Sequence, residues 1–386
     1  MKCPAKRSWP CSKWTKPMQN TALYIHIPFC KRKCAYCDFA SFPERESTWA
    51  PYLLGLESEM KEAAQKYGRL PVSTVFIGGG TPSLLPSDAV MHLLAMTRAR
   101  FSLDPDAEIT VEANPCTVSE QKLRDYRDAG VNRLSLGMQA AQDSLLKMLG
   151  RIHHQTDVEQ AVTWARKVGF TAINLDLMYA LPGQTMADWV DTLKQATALN
   201  PTHLSCYSLI VEADTPLAQR IQSGELAEPD EALALNMQHG AARILLRRGF
   251  KRYEISNYAL PGRECRHNIV YWTRGDYLGL GLSAHSLMDN ERFANTDDLD
   301  AYLKGVREVS REIVDEKSAR EEAIMLGTRM ARGIDTGLLT GCTKAIDQLT
   351  ALGLVEVNEN RLALTDAGFD VHNAVVMKLV QGDEVQ

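Results

Sequence analysis

Apolar and polar positions along this chain switch between two periods. Short apolar or β-branched runs alternate with longer stretches whose apolar residues recur three and four apart. The runs predict strands over Tyr24–Phe29, Thr74–Ile77, Glu108–Ala113, Arg133–Gln139, Ala172–Met178 and His203–Leu209. The longer stretches predict helices over Trp49–Tyr67, Ser87–Phe101, Ser119–Ala129, Asp157–Val168 and Met186–Leu199. Several of these helices stop at a glycine (Tyr67-Gly68, Ala129-Gly130, Val168-Gly169), the residue that best tolerates a left-handed cap. Six β/α units in succession predict an α/β fold, a parallel sheet with helices outside. Six units are too few for a closed eight-fold barrel, so an open, three-quarter (β/α)6 barrel is expected. Functional side chains should then gather at the C-terminal ends of the strands.

After about residue 210 the rhythm changes. A helix over Glu231–Arg248 leads to Tyr253–Tyr258, and a glycine-rich strand is expected over Tyr277–His285. From about residue 318 the pattern reads helix, helix, then strands Leu354–Val357 and Arg361–Thr365 around the turn Asn358–Asn360. That is a small α+β, winged-helix-like C-terminal domain. The expected organisation is a tail over 1–20, a barrel core over 21–250, a connecting region over 251–317 and the C-terminal domain over 318–386.

Composition narrows the function classes. The net charge of −5 gives no global attraction to nucleic acid. Around the wing, acids (Asp347, Glu356, Glu359, Asp366, Asp370) outnumber the bases Lys344 and Arg361, so no nucleic-acid partner is expected there either. No apolar stretch approaches the roughly 20 residues of a membrane helix. Nine cysteines, odd in number and unevenly spaced, argue against a disulfide framework and for a reducing cytoplasm. The first 20 residues carry five Lys or Arg and no acid; they read as a tail, with Met18 an alternative start and Cys3 and Cys11 incidental.

Three of the nine cysteines fall in Cys30-Lys-Arg-Lys-Cys34-Ala-Tyr-Cys37, directly after the first predicted strand. A zinc site would want a fourth Cys or His at a repeatable spacing, and only His26 is near in sequence. Three thiolates on one loop can instead hold three irons of a 4Fe–4S cube and leave the fourth iron open. The second strand ends in Gly78-Gly79-Gly80-Thr81-Pro82. Three consecutive glycines exceed what a turn needs and let backbone approach a ligand closely. This is not a phosphate-binding P-loop, since the Lys-Ser/Thr ending is absent. Glu112, Gln139 and Asp176 lie at or near further strand ends, and Arg151 follows the fourth. Each alone reads equally as a structural residue, except that Asp176 interrupts an apolar strand and needs partners if buried.

With these motifs the chain resembles the radical S-adenosylmethionine (SAM) superfamily. Tyr-Ile-His-Ile-Pro-Phe-Cys, Val-Glu-Ala-Asn-Pro, Arg-Leu-Ser-Leu-Gly-Met-Gln, Leu-Gly-Arg-Ile-His and Asn-Leu-Asp-Leu-Met resemble, more narrowly, the oxygen-independent coproporphyrinogen III oxidase group. The likeness runs from about residue 22 to the C-terminus. It implies that Cys30, Cys34 and Cys37 hold the 4Fe–4S cluster. It also implies that Tyr24, Gly79, Gly80, Thr81, Glu112, Gln139, Arg151 and Asp176 contact SAM, with Tyr36 near the adenine. The group's oxidases carry a further cysteine two residues beyond the triplet and a longer N-terminal segment. This chain has Phe39 at that position and only about twenty residues before its first strand. In Cys-Asp-Phe and in His267-Asn-Ile-Val-Tyr-Trp272 it resembles instead the group's haem-chaperone branch, for which oxidase activity is not expected. That likeness implies haem as a third cofactor, with His267 as candidate ligand and Cys265 and His285 as alternatives. The partners implied are haem, haem-accepting proteins (membrane-bound respiratory ones among them) and an electron donor, with a homodimer left open. The alternative function is anaerobic oxidative decarboxylation of coproporphyrinogen III.

Overall fold

The protein, in a computed structural model, is described over residues 21–383. The basic stretch before residue 21, with Met18, Cys3 and Cys11, lies outside the described residues. Six strands follow one another: β1 (Thr21–Ile27), β2 (Pro71–Gly79), β3 (Ser102–Ala113), β4 (Arg133–Gln139), β5 (Ala172–Tyr179) and β6 (His203–Ser208). Each pairs in parallel with the next. The helices are α1 (Trp49–Tyr67), α2 (Ser87–Arg100), α3 (Glu120–Asp128), α4 (Asp143–Met148), α5 (Gln155–Lys167), α6 (Met186–Ala198), α7 (Pro216–Gln222), α8 (Glu231–Arg247) and α9 (Arg266–Trp272).

The strands alternate strictly, and the alternation positions the site. Val75 and Ile77, Ile109 and Val111, Leu134 and Leu136, and Leu175 and Leu177 are buried in one core with Leu56, Leu93, Leu123, Val158 and Trp189 of the helices. Fully burying each such aliphatic side chain contributes about 1.5–3 kcal/mol. The intervening residues point the other way, because a strand's side chains have period two. They include Phe76, Thr110, Glu112, Ser135, Asn174 and Asp176, which line an interior cavity. Parallel strands buried on both faces are normally near-continuously apolar. Here the inward face is polar, which marks a working interior rather than a filled core.

The sheet does not stop at six strands. It has twelve, and it is open. At the β6 edge, β7 (Lys251–Arg252) and β8 (Asn257–Ala259) add antiparallel strands. The chain then crosses to the opposite edge, where β9 (Tyr277–Leu280) pairs in parallel with β1. Three more antiparallel strands follow: β10 (His285–Met288), β11 (Glu291–Asn295) and β12 (Glu308–Ile313). The single strand expected over Tyr277–His285 is therefore two. Gly281 (φ +100°) and Ser283 (φ +56°) take left-handed conformations that reverse the chain between them. On the crossing, α9 lies against the N-terminal ends of β2 and β3. Arg266 donates to the carbonyls of Asp106 (2.8 Å) and Ser73 (3.3 Å).

A buried carboxylate locks the added strands to the barrel. Glu59 on α1 accepts hydrogen bonds from Gly281 N–H (2.9 Å), Asn295 (2.5 Å) and the Tyr302 hydroxyl (2.5 Å). The C-terminal part has its own core, with Ile324, Leu349, Leu362 and Val375 buried together. Its three-stranded sheet has Arg361–Leu364 between Ile334–Asp335 and Val355–Asn358. Arg329 and Glu254 (3.3 Å) join it to the barrel.

Candidate functional site

The cysteine loop leaves the C-terminal end of β1. Backbone bonds pin it against the turn after α4: Ala35 N–H donates to Leu149 O (2.9 Å). From the other side, Leu217 N–H at the start of α7 donates to Ala35 O (2.8 Å). Cys30, Cys34 and Cys37 are all half-buried free thiols. Two of them receive donors. Thr81 Oγ1 points at Cys30 Sγ (3.6 Å) and Arg151 Nη1 at Cys34 Sγ (3.5 Å). Such outer donors orient sulfur ligands and tune the metal they hold. Among the described residues no three His, Cys, Asp or Glu side chains converge on one metal ion. Burial raises the Cys30 and Cys37 thiols, so a cluster must displace their protons as it binds.

The glycine run faces this loop, and each glycine there is needed for a different reason. A Cβ on Gly78 would stand 2.9 Å from Glu112 Oε2; on Gly80, 2.7 Å from Phe29 O and 3.0 Å from Cys30 Sγ. Gly79 has φ +109°, and a Cβ there would lie 2.6 Å from the His26 ring. The strand end is thus a bare backbone edge between the cysteine loop and two carboxylates. Glu112 Oε2 accepts from Gly79 N–H (3.0 Å). Asp176, deeper on β5, accepts from Ser135 Oγ (2.9 Å) and Asn174 Nδ2 (2.8 Å). Burial chiefly, and the charge of Asp176 next, push Glu112 up to about 8; burial likewise raises Asp176. Arg151, itself buried, donates to Gly137 O (3.0 Å) as well as to Cys34, so one guanidinium ties the cysteine loop to β4. Its Nε has no partner. Gln139 takes φ +64° where the β4–β5 register slips, which turns its side chain at the strand end.

His26 was not singled out in the sequence beyond its nearness to the cysteines, and it proves to be the hub of the β1 end. Its Nε2–H donates to Ala40 O (3.0 Å), so its Nδ1 accepts from the Tyr24 hydroxyl (3.0 Å). The ring thereby holds Tyr24, the far end of the cysteine loop and the Gly79 backbone in one arrangement. Ser135 and Asn174 were likewise missed. The signal was there, in polar residues at period two within β4 and β5.

The cavity beneath measures about 200 Å³ and is lined by Tyr24, Phe76, Glu112, Asp176, His267 and Tyr271 among others. That is below the roughly 300–1,000 Å³ of a pocket for a drug-sized ligand. Tyr36, between the second and third cysteines, packs against Leu146, Met178 and Leu209. Tyr24, Glu112 and Asp176 thus share the cavity, Gly79 meets Glu112, Gln139 and Arg151 meet at Gly137, and Thr81 and Gly80 meet Cys30.

The haem candidates do not gather there as free ligands. His267 is fully buried on α9, stacked on Phe76. Thr74 Oγ1 bonds its Nδ1 (2.8 Å) and the Tyr271 hydroxyl its Nε2 (2.8 Å). Burial lowers its basicity to about 3, so the ring is neutral at physiological pH. Cys265 is buried against Glu108 (3.5 Å), its thiol pushed up to about 12, and His285 is exposed on β10.

Glu112 gives a pH prediction. Its carboxyl titrates near 8 when folded and near 4.5 when unfolded, so between those values the folded state binds the extra proton. Its contribution is full below about pH 4.5 and is lost as pH rises through 8. Glu112→Gln should flatten the fall in the melting temperature of the cofactor-free protein between pH 5 and about 8. A parallel pH profile for variant and parent would exclude this.

An open α/β barrel with this loop and this glycine edge is the architecture of a radical SAM protein. The Radical SAM superfamily profile matches residues 24–196, and the HemN C-terminal domain profile matches 314–371. The E. coli coproporphyrinogen III oxidase HemN shares the fold, with a TM-score of 0.82 at 24% identity over 95% of this chain and 91% of that one. Sequence relatives are closer. The heme chaperone HemW of Synechocystis is 38% identical over 87% of this chain and 85% of its own length. That of Mycobacterium tuberculosis is 35% identical over 94% and 96%, and that of Escherichia coli 43% identical over 68% and 69%. The chain belongs to the HemW family.

Proposed function

We propose that this protein is a haem chaperone that binds a 4Fe–4S cluster at Cys30, Cys34 and Cys37, SAM beside it, and haem, and delivers haem to acceptor haemoproteins. The observation that carries the cluster is the half-exposed cysteine loop with Thr81 and Arg151 aimed at two of its sulfurs. SAM and the cluster, when bound, supply one-electron chemistry at a sulfonium. The chain's own residues would hold the ligand. The bare Gly79–Gly80 edge and Thr81 would take its amino and carboxylate groups. Glu112 and Asp176 would face positive charge, Gln139 and Arg151 would bound the site, and Tyr24, set by His26, and Tyr36 would close its flanks.

The names of the HemW relatives, and Phe39 in place of a further cysteine, favour haem handling over decarboxylation. The 200 Å³ interior is too small for a macrocycle, so haem would sit outside it or enter as α9 shifts. Ligation of iron by His267 requires that the ring give up its bond to Tyr271 or Thr74. Haem-accepting respiratory proteins, an electron donor, a cytoplasmic setting and a homodimer belong to the same proposal. Among the described residues no helix is long and apolar enough to cross a membrane.

Titration of the reconstituted protein with haem should give a saturable Soret band, and an absence of saturation would remove the chaperone reading. With SAM and reductant, coproporphyrinogen III should not turn over anaerobically; clear turnover would favour the oxidase instead. His267→Ala then assigns the ligand. A changed Soret maximum and axial signature at unchanged haem stoichiometry places His267 on the iron. An identical spectrum with only a lower melting temperature places it in the barrel.

A further inference from the structure

His203, the first residue of β6, is buried in the barrel and has no part in the ligand contacts proposed above. Both of its ring nitrogens are engaged. Nδ1 lies 2.7 Å from Asn174 Oδ1, and Nε2 lies 2.9 Å from the Tyr253 hydroxyl. Burial, with the Arg133 guanidinium next, holds its pKa well below the usual histidine range, so the ring is neutral and one nitrogen alone carries a proton. Which nitrogen that is follows from what lies beyond Asn174. The Asn174 amide meets Asp176 Oδ1 at 2.8 Å. A carboxylate oxygen only accepts, so the Nδ2 side of the amide faces Asp176 and the Oδ1 side faces His203. An amide oxygen only accepts as well, so His203 donates from Nδ1 and takes the Tyr253 O–H on Nε2. Tyr253 in turn accepts from the Cys265 N–H (3.3 Å).

Every bond in this chain therefore points toward Asp176. Asn174 Nδ2 also donates to Ser135 Oγ (2.8 Å), which leaves the Ser135 hydroxyl proton for Asp176 Oδ2 (2.9 Å). Both carboxylate oxygens thus receive a donor whose direction is set by His203. Ser135, Asn174 and His203 are all buried, and all three line the cavity with Asp176. Without the His203 donor, Asn174 Oδ1 would keep only the longer bond from Ser205 Oγ (3.3 Å). The amide could then turn, and its oxygen would stand against a carboxylate in a buried site, where an unpaired acceptor is costly. We propose that His203 is a positioning residue: through Asn174 and Ser135 it holds Asp176 as an acceptor-only carboxylate, and it thereby sets the selectivity of the site for a sulfonium over the matching uncharged thioether. This rests on the reading of Asp176 as a SAM contact and adds what keeps its charge available to the ligand.

The test is calorimetric titration of the cluster-loaded protein with SAM and with S-adenosylhomocysteine, read as the ratio of the two dissociation constants. The ligands share their adenosine, amino and carboxylate groups and differ by one methyl group and the positive charge. A loosened pocket weakens both, whereas a lost charge at Asp176 lowers the preference for SAM. Asp176→Asn should lower that preference about tenfold, the worth of one hydrogen-bonded charge. His203→Gln reaches the Nε2 position but puts no donor at Nδ1, and it should lower the preference severalfold. His203→Asn places an amide N–H at the Nδ1 position and should keep the parent's preference. A merely structural histidine predicts a lower melting temperature in both variants with no separation of their ratios, and that result would overturn the proposal. Should either variant not fold, Ser135→Ala is read in its place; it removes the Oδ2 donor of the same chain and should also lower the preference. An unchanged ratio in His203→Gln or in Ser135→Ala, beside a lowered one in Asp176→Asn, would overturn the positioning role and leave the SAM contact standing. An unchanged ratio in Asp176→Asn would overturn the contact itself, and the proposal with it.

Discussion

Replacing Cys30, Cys34 or Cys37 singly by alanine is expected to remove most of the iron and sulfide that the reconstituted protein binds, together with its broad visible absorbance. On the proposed ligation each cysteine would supply one corner, and among the described residues no other group of three His, Cys, Asp or Glu side chains is placed to hold a metal in their stead. Folding should survive, because the three side chains lie in a surface loop outside the hydrophobic core and form no disulfide. The measurement is iron and sulfide content alongside circular dichroism. Unchanged iron in any one variant would remove that cysteine from the cluster, and unchanged iron in all three would end the radical SAM reading of the site. Cys206 and Cys265 provide the control. Both thiols are buried, which pushes Cys206 well up and Cys265 up to about 12, and Cys265→Ser should leave iron content unaltered.

The second large effect belongs to a residue without a side chain. Gly79→Ala is expected to weaken SAM binding by at least tenfold and to destabilise the fold by about 1–3 kcal/mol, the cost of a non-glycine residue in such a conformation. The alanine methyl would meet the His26 ring at 2.6 Å, so either the ring or the strand end must move. If the ring moves, Tyr24 and Ala40 lose their common partner; if the strand moves, the Gly79 N–H leaves Glu112. Gly183→Ala, with φ +77° but open space around its Cβ, isolates the conformational part. It should lower stability and leave SAM affinity unchanged. Equal SAM affinity in parent and Gly79→Ala, measured calorimetrically, would show that the backbone edge is not part of the binding site.

How far these features could be read from the chain depended on their range. Strands β1 to β6 and the longer helices between them were legible because each is a local, periodic pattern, whereas the six-residue α4 was too short to show one; β4 spans Arg133–Gln139 in pattern and structure alike. The fold class followed from the count of units. What escaped was long-range. Nothing local to Tyr277–Leu280 says that it pairs with β1, and nothing in Ser283 announces a left-handed turn. The chemistry showed the same division. Cysteine spacing and three glycines in a row are visible in one glance. Glu59, in contrast, reads as a surface residue of an amphipathic helix, and only Gly281, Asn295 and Tyr302, far along the chain, explain its burial. The motif around His267 was recognisable by resemblance. Its engagement by Thr74 and Tyr271 was not, because one partner lies on a distant strand and the other's direction is set by α9.

The pairing of β9 with β1 also bears on how the molecule comes into being. On the ribosome β1 emerges first, yet one of its two edges stays open until residues 277–280 have been made. Contacts so distant along the chain form slowly and leave strand edges exposed meanwhile. The cysteine loop hangs from that strand, and the Glu59 lock on the barrel waits for Gly281 and Tyr302. On the proposed ligation, the strand that presents the three cysteines would reach its final pairing only after residues 277–280 have been made. A nascent polypeptide stalled before residue 277 would carry all three cysteines and still lack the settled edge from which they are presented.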